Sequence, residues 1–226
     1  MKKYILIIIL LFTGVQTQGQ VLISLLFGDM LNSDGLEFGL EGGFNWSKIS
    51  EMETSSSLRT FNLGFYFDIR LKEQWSLYTG VLVKSNLGVD QLSANDLTFL
   101  GTDVYEENGD YAQEMSYFLV PALLKYNFEN KIYLEAGPQF GLMYDAWVEF
   151  NSDLDNKEGR IREYNKDNIN RFDAGIMVGV GYKLNKINGM TFGVKYYYGL
   201  LDVYKDRAGT KNSSIFLKMT VPIGAG

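Results

Sequence analysis

Residues 172–201 alternate between two kinds of side chain at every second position. Every even-numbered residue from Phe172 to Leu184 is apolar or aromatic, whereas the odd-numbered residues are mainly glycine or charged. The alternation resumes after a short turn at 185–189. A period of two on both sides of such a turn predicts a β-hairpin. One of its faces is continuously apolar, and we interpret that face as lipid-facing.

The same alternation predicts six further strands, which makes eight. Four predicted connections are long and three are short, in strict alternation along the chain. This sorting is typical of outer-membrane barrels, which have long outer loops and short periplasmic turns. We therefore predict an all-β, eight-stranded antiparallel transmembrane up-and-down β-barrel in the bacterial outer membrane. The further predicted strands are 36–46, 61–72, 75–84, 111–128, 132–148 and 214–223; the long connections are 47–60, 86–109, 149–170 and 202–212; the short ones are 73–74, 129–130 and 185–189.

Composition excludes several classes of function. The chain of 226 residues has 24 Gly, 15 Tyr and 15 Phe, with a net charge of −6 that argues against nucleic-acid binding. It has no Cys and no His, which excludes Ser-His and Cys-His dyads. Two acidic loops, 103–110 and 153–159, lack the ligand spacing of a calcium loop. We predict a protein that is not an enzyme and that has no cofactor and no metal site.

The first 35 residues divide into two predicted segments. Residues 1–19 combine two lysines, a short apolar run and small residues, which predicts a cleaved signal peptide. Residues 20–35 predict an apolar arm or a short helix, acting either as a plug of the barrel or as a packing arm. The predicted barrel domain is 36–226. The expected partners are outer-membrane lipid and the outer-membrane assembly machinery, with an unidentified protein or small solute as a further possibility.

The polar strand faces carry acidic and basic residues in nearly equal number. If the apolar faces meet lipid, these charges lie in the lumen, where buried charges persist when paired. Because eight strands enclose only enough space for side chains, we predict a closed lumen with a structural salt-bridge network. The alternative is a narrow porin-like channel gated by the arm. The predicted lumen residues are Glu37, Glu41, Asp68, Arg70, Lys84, Lys125, Glu135, Asp145, Asp173, Lys183, Lys195 and Lys218.

Aromatic residues near the predicted strand ends fit the belts that mark membrane interfaces. The competing interpretation is a soluble, lipocalin-like barrel with its apolar face turned inward around a ligand. The sorted loop lengths and the glycines on the charged face argue against it. The predicted interfacial aromatics are Trp46, Trp75, Tyr126, Trp147, Tyr182 and Tyr198.

Four segments resemble one known family. Residues 21–29, the first strand at 39–47, and the segments 118–126 and 137–139 are similar to PorT-like outer-membrane β-barrel (porin family) proteins of Bacteroidota. The resemblance implies an outer-membrane barrel of about eight strands whose function is mostly unassigned. Some members are linked to secretion machinery. It supplies no functional residues, and we expect a structural or assembly-accessory role that binds a partner through the extracellular loops.

Overall fold

The computed structural model describes residues 35–152, 160–184 and 189–223. These residues form ten strands, one short α-helix and a single 3-10 turn, Lys166–Asn168. In chain order the elements are β1 (Leu36–Ile49), β2 (Leu58–Lys72), β3 (Trp75–Lys84), β4 (Asn86–Val89), α1 (Ala94–Leu100), β5 (Gly109–Asn127), β6 (Ile132–Ser152), β7 (Arg160–Tyr164), β8 (Phe172–Lys183), β9 (Thr191–Asp202) and β10 (Lys211–Pro222).

Eight strands close into an antiparallel ring. The sheet order is β4-β5-β3-β2-β1-β10-β9-β8-β6-β7, and the pairing of β5 with β6 completes the circle. Two of the ten strands add no position to the ring, since β4 continues the line of β3 along β5, and β7 continues the line of β8 along β6. The prediction of an eight-stranded antiparallel barrel is confirmed. The hairpin predicted from residues 172–201 is also present, as β8 and β9, with Lys183 opposite Thr191.

The two faces of the wall have the orientation expected of a membrane barrel. Apolar side chains point outward, and Phe140 and Val178 are about half exposed, at 52% and 49%. The charged and glycine-rich faces point inward and are mostly buried. A soluble barrel would instead bury its apolar face around a ligand. The lipocalin-like alternative is therefore wrong.

Glycine on the inner face makes room for aromatic rings in the narrow interior. The Tyr133 side chain lies against Gly181 and Gly193, and an added Cβ would collide with its ring and hydroxyl at Gly181 and with its hydroxyl at Gly193. Tyr66 and Tyr197 lie in the same way against Gly39 and Gly175. The small residues therefore allow large side chains to cross the lumen.

Two bulges shift the inward–outward alternation by one residue. In β3 both Val83 and Lys84 are exposed, and Ser85 returns to the interior. In β6 the pairing with β5 changes register between Asp145 and Met143, so that Tyr144 and Asp145 both lie outside the buried row. A bulge places two residues opposite one partner residue and so reverses the facing of everything beyond it.

The long connections contain more regular structure than predicted. A membrane-spanning strand needs about 9–11 residues, whereas β5 has 19 and β6 has 21. The open end of the β5–β6 hairpin, opposite the turn that joins the two strands, therefore projects beyond the ring at the long-loop end. We define the long-loop end as the rim bearing 50–57, 90–108 and 203–210, and the short-turn end as the opposite rim. The elements β4, α1 and β7 all lie within predicted loops.

The predicted signal peptide and nearly all of the predicted arm, residues 1–34, lie outside the described residues, as does the acidic loop at 153–159. Within the described ranges, none of the helical segments has the length and hydropathy that a membrane crossing requires.

Candidate functional site

Three oppositely charged pairs fill the half of the lumen near the short-turn end. Lys195 Nζ lies 2.5 Å from Glu41 Oε1. Lys218 Nζ donates to both carboxylate oxygens of Glu135, at 2.7 and 2.9 Å. Lys125 Nζ lies 2.6 Å from Asp68 Oδ2, with 14% of the Asp68 side chain exposed. These three carboxylates and three ammonium groups balance in charge, as buried ions must to persist.

Tyrosine rings connect the three ion pairs into one layer. The Tyr78 hydroxyl donates to Glu41 Oε2, and Lys218 Nζ lies 3.8 Å from the centre of the Tyr78 ring. Lys125 Nζ lies 4.4 Å from the centre of the Tyr133 ring. These cation–π contacts add attraction that strengthens where water is excluded. We call the three ion pairs, with Tyr78 and Tyr133, the charged layer.

Apolar and aromatic side chains fill the lumen above the charged layer, toward the long-loop end. Tyr117, Met177, Tyr197 and Phe216 come from four different strands and each is at most 1% exposed. They are continuous with buried residues of the loops and of α1, including Leu97. We call these strand and loop residues the apolar layer. Sequence reasoning missed it, although its aromatic residues occur on the predicted inner faces.

Gln139 is a buried polar residue of the interior whose side chain has no protein partner in the described part of the chain. The Gln139 side chain is fully buried on β6, between Glu135 and Gly141, and both its Oε1 and its Nε2 lack a hydrogen bond within the described part of the chain. A buried amide of this kind is ordinarily satisfied by ordered water. We therefore expect bound water at this position.

Several predicted lumen residues lie at the short-turn rim and not in the charged layer. Glu37 accepts a hydrogen bond from the Tyr66 hydroxyl at 2.8 Å, and its other carboxylate oxygen lies 3.6 Å from Lys183 Nζ. Half of the Lys183 side chain is exposed. Arg70 is also exposed, close to the end of β2. These groups are solvated, so they contribute much less than the buried pairs.

Two predicted lumen residues are not in the lumen, and the bulges are the reason. Lys84 is exposed on the outer face, with its Nζ 5.9 Å from the centre of the Phe61 ring. Asp145 is half-buried outside the inward row, and its Oδ1 accepts from the Ala146 backbone N–H. Asp173 does face inward, near the long-loop end, and accepts from Asn212 Nδ2 at 2.9 Å.

The predicted interfacial aromatics lie near both ends of the wall, with one exception. Trp75 and Tyr126 stack edge to face at the short-turn end, 4.8 Å apart. Tyr182 is exposed at that same end, whereas Trp46 and Tyr198 lie toward the long-loop end. Trp147 is the exception: it is 7% exposed and lies under the Arg162 guanidinium at 4.5 Å. It belongs to the projecting β5–β6 hairpin, beyond the lipid-facing wall.

Side-chain hydrogen bonds hold the long loops together. Ser93 and Asp96 form a capping box at the start of α1, and Asp96 also accepts from the backbone N–H groups of Glu53 and Thr54 in loop 50–57. Burial alone would raise the pKa of Asp96, but the backbone donors of Glu53, Ser93 and Thr54 outweigh it and lower the pKa below 3.8. The ionised carboxylate therefore joins two loops.

Loops on the other side of the rim are connected in the same way. Asn165 Nδ2 donates to Gln113 Oε1 at 2.7 Å, which joins the segment after β7 to β5. Ile169 forms a β-bridge with Tyr204 in loop 203–210. Ser50 Oγ donates to the Gly209 carbonyl at 2.6 Å. The described loops therefore form one connected surface, which we call the loop platform.

A buried charge lies on the outer face of the projecting hairpin. Arg162 Nε donates to Glu149 Oε2 at 2.7 Å, and Arg160 Nε lies 4.0 Å from the other oxygen. Burial raises the pKa of the neighbouring Glu114, and the Glu149 carboxylate adds to the increase, although a hydrogen bond from Asn86 opposes it. The two arginines therefore neutralise an acidic pair that would otherwise destabilise the hairpin.

Taken with the apolar outer wall, the closed ring of strands defines a transmembrane β-barrel. Residues 24–205 match the family described as outer membrane protein beta-barrel domain. The chain therefore belongs to this outer-membrane family, and we conclude that the protein is located in the bacterial outer membrane. No curated protein matches the sequence.

Solved structures with a similar course of the chain are also outer-membrane proteins. Ail, the attachment invasion locus protein of Yersinia pestis, solved with the heparin analogue sucrose octasulfate, is 14% identical; the match covers 83% of this chain and 98% of Ail, with a TM-score of 0.44. Neisserial surface protein A is 10% identical, with 83% and 99% covered and a TM-score of 0.45. OprG from Pseudomonas aeruginosa is 12% identical, with 83% and 93% covered and a TM-score of 0.38. The family assignment does not depend on these similarities.

Proposed function

We propose that this protein is a non-conducting outer-membrane barrel that acts through its loop platform, in a structural, partner-binding or assembly-accessory role. The burial of the lumen supports this proposal most strongly. Five of the six charged groups in the charged layer belong to residues no more than 5% exposed, and the apolar layer above them is equally dry. A solute path would require water-exposed side chains along the axis. The long-loop end then faces the outside, as in other outer-membrane barrels.

The connected loops support a binding role for this end of the barrel. A preorganised surface loses less conformational entropy when it binds than separate mobile loops would. The platform also exposes apolar side chains, such as Val104 at 70% and Tyr164 at 64%. We also propose that the protein belongs to the PorT-like branch of Bacteroidota barrels, because its first strand and residues 118–126 resemble that family.

Single-channel recording in planar bilayers tests this function. Heat-modifiable migration on a gel first shows that the extracted protein is a folded barrel. We expect no current steps from the wild type. A variant with Tyr117→Ala, Tyr197→Ala, Tyr78→Ala and Tyr133→Ala removes large rings from both layers and serves as the positive control for a widened lumen. Discrete steps from the wild type would contradict the proposal and favour a channel.

The unpaired Gln139 favours a second candidate function, a narrow porin-like path for ions or small solutes. Water at this amide would lie between the two layers and could form part of such a path. The predicted N-terminal arm would then act as the gate. Deletion of residues 21–31 should raise the conductance if this is right, and an unchanged baseline current would eliminate it.

A further inference from the structure

Three cations lie on the outer face of the barrel, on neighbouring strands near the long-loop end. Lys48 is the penultimate residue of β1, Arg59 is the second residue of β2, and Lys84 ends β3. All three side chains are exposed. Lys84 points outward only because of the bulge at Val83. Regular alternation would have placed it in the lumen.

Aromatic rings connect two of these cations, Arg59 and Lys84, across the three strands. Arg59 is paired with Trp46 across β1 and β2, and its guanidinium lies 5.7 Å from the centre of that ring and 5.2 Å from that of Phe44. Phe44 stacks edge to face on Phe61, with the ring centres 5.5 Å apart. The ammonium group of Lys84 lies over the Phe61 ring. We call the three cations and three rings the cation–aromatic patch.

The patch has no internal counter-charge. Lys48, Arg59 and Lys84 form no ion pair with any residue that the structure describes. The outward-facing residues of β1, β2 and β3 include no Asp or Glu. On the outer face of β5, β6 and β7, by contrast, the acidic Glu149 is matched by Arg160 and Arg162. The outward cations of β1, β2 and β3 therefore differ from those of β7, which have an acidic partner.

The patch also occupies a particular position relative to the membrane. Its aromatic residues continue the exposed apolar wall below, which includes Leu63 and Leu40. Aromatic rings with neighbouring cations are typical of the membrane interface, where lipid headgroups begin. Unpaired Lys and Arg at this depth favour contact with anionic headgroups.

We propose that the cation–aromatic patch binds the phosphate groups of a phosphorylated glycolipid, lipid A, in the outer leaflet. The guanidinium of Arg59 supplies a planar, multidentate donor to a phosphate, and the two lysines supply point charges beside it. The rings of Phe44, Trp46 and Phe61 contact the upper part of the acyl chains. This inference shares with the proposed function only the orientation of the long-loop end, and it holds whether or not the lumen conducts.

Native mass spectrometry of the detergent-solubilised full-length protein tests the inference. Folded protein is titrated with diphosphoryl lipid A, with monophosphoryl lipid A and with phosphatidylcholine. We expect binding in that order of decreasing affinity. The test variant is Lys48→Gln, Arg59→Gln and Lys84→Gln. Because each Lys or Arg near an anionic surface contributes about fivefold, and the triple variant loses three of them, we expect it to bind diphosphoryl lipid A about a hundredfold more weakly.

The matched control removes the same charge from the short-turn end, with Arg70→Gln, Lys72→Gln and Lys131→Gln. It should bind like the wild type, and gel migration shows whether each variant is folded. If the triple variant does not fold, Arg59→Gln and Lys84→Gln are measured singly, with about a fivefold loss expected for each. Equal losses in both triple variants, or no loss in the test variant, would overturn the inference. The inference would also be overturned if the cation–aromatic patch bound inorganic phosphate as well as it bound lipid A.

Discussion

The ion pair of Lys218 with Glu135 offers the most direct test of a dry lumen. Both side chains are at most 2% exposed, and the ammonium group donates to both carboxylate oxygens. The substitution Lys218→Met keeps a long side chain but leaves the Glu135 charge unpaired. We expect it to lower the free energy of unfolding substantially, because an uncompensated charge then remains buried.

The expected magnitude depends on whether water reaches the pair. Removal of one partner from a buried ion pair costs about 3–5 kcal/mol, whereas a solvated pair contributes about 0–1 kcal/mol. The lumen pair should therefore show the larger loss. Lys183→Met is the matched control, since its contact with Glu37 is 3.6 Å long and half exposed at the rim. We expect the control to change stability by less than about 1 kcal/mol.

Urea unfolding in phospholipid vesicles, followed by tryptophan fluorescence and by gel migration, measures both variants. The double variant Glu135→Gln, Lys218→Met removes both charges, so it should cost less than the sum of the two single substitutions by at least about 2 kcal/mol. A loss below about 1 kcal/mol for Lys218→Met would refute the reasoning. Additive effects of the two single substitutions would refute it equally.

Three further predictions concern the wall, the packing of the lumen and the loops. Val178→Arg, on an outward side chain that is 49% exposed, should cost about 2–4 kcal/mol in the same unfolding assay, whereas Val178→Leu should cost almost nothing. Gly181→Ala should cost about 1–3 kcal/mol because its Cβ would collide with Tyr133, whereas Gly42→Ala, whose nearest neighbour would be 3.8 Å away, should be nearly neutral. Because the pKa of Asp96 is lower in the folded protein than its unfolded-state value of 3.8, the ionised carboxylate stabilises the loops at pH values above 3.8. This stability is lost as the pH falls through the lower folded pKa. Pepsin cleavage in loop 50–57 should therefore rise below that pH in the wild type but show no such transition in Asp96→Asn, and a pH-independent rate in the wild type would contradict the assignment.

The alternation of side chains made the ring predictable from the sequence. In β8 and β9 most inward positions are small or polar, with Met177 and Tyr197 as the exceptions, and the outward positions are apolar or aromatic, so the two-residue period also assigns the facing. The charged layer follows from the same rule, because Glu41, Glu135 and Lys218 lie on regular stretches. Which cation contacts which carboxylate depends on the packing of side chains across the lumen, and no sequence pattern determines that.

The bulges at Lys84 and Asp145 were not predictable in the same way. A bulge preserves the composition of a strand and changes only its phase, so the residues before and after it still alternate. The prediction for Lys84 assumed that the inward facing of Tyr78 and Leu82 continues at every second residue, whereas the bulge ends this alternation after Leu82. The structure within the loops was unpredictable for a different reason. The helix α1 has only seven residues, which are too few to show a hydrophobic period. Its ends were nevertheless marked, by Ser93 and Asp96 as a capping box and by Gly101 in the left-handed conformation.

The two layers of the lumen lie in series, and this arrangement constrains any gate. A segment that moved at the short-turn end could at most expose the charged layer to water. The apolar layer would still block the axis, since Tyr117, Tyr197 and Phe216 belong to the strands themselves. Opening it requires these rings to change rotamer or the loop platform above them to separate. The apolar layer therefore favours the non-conducting barrel over a channel gated by the N-terminal arm, and we expect deletion of residues 21–31 to leave the baseline current unchanged.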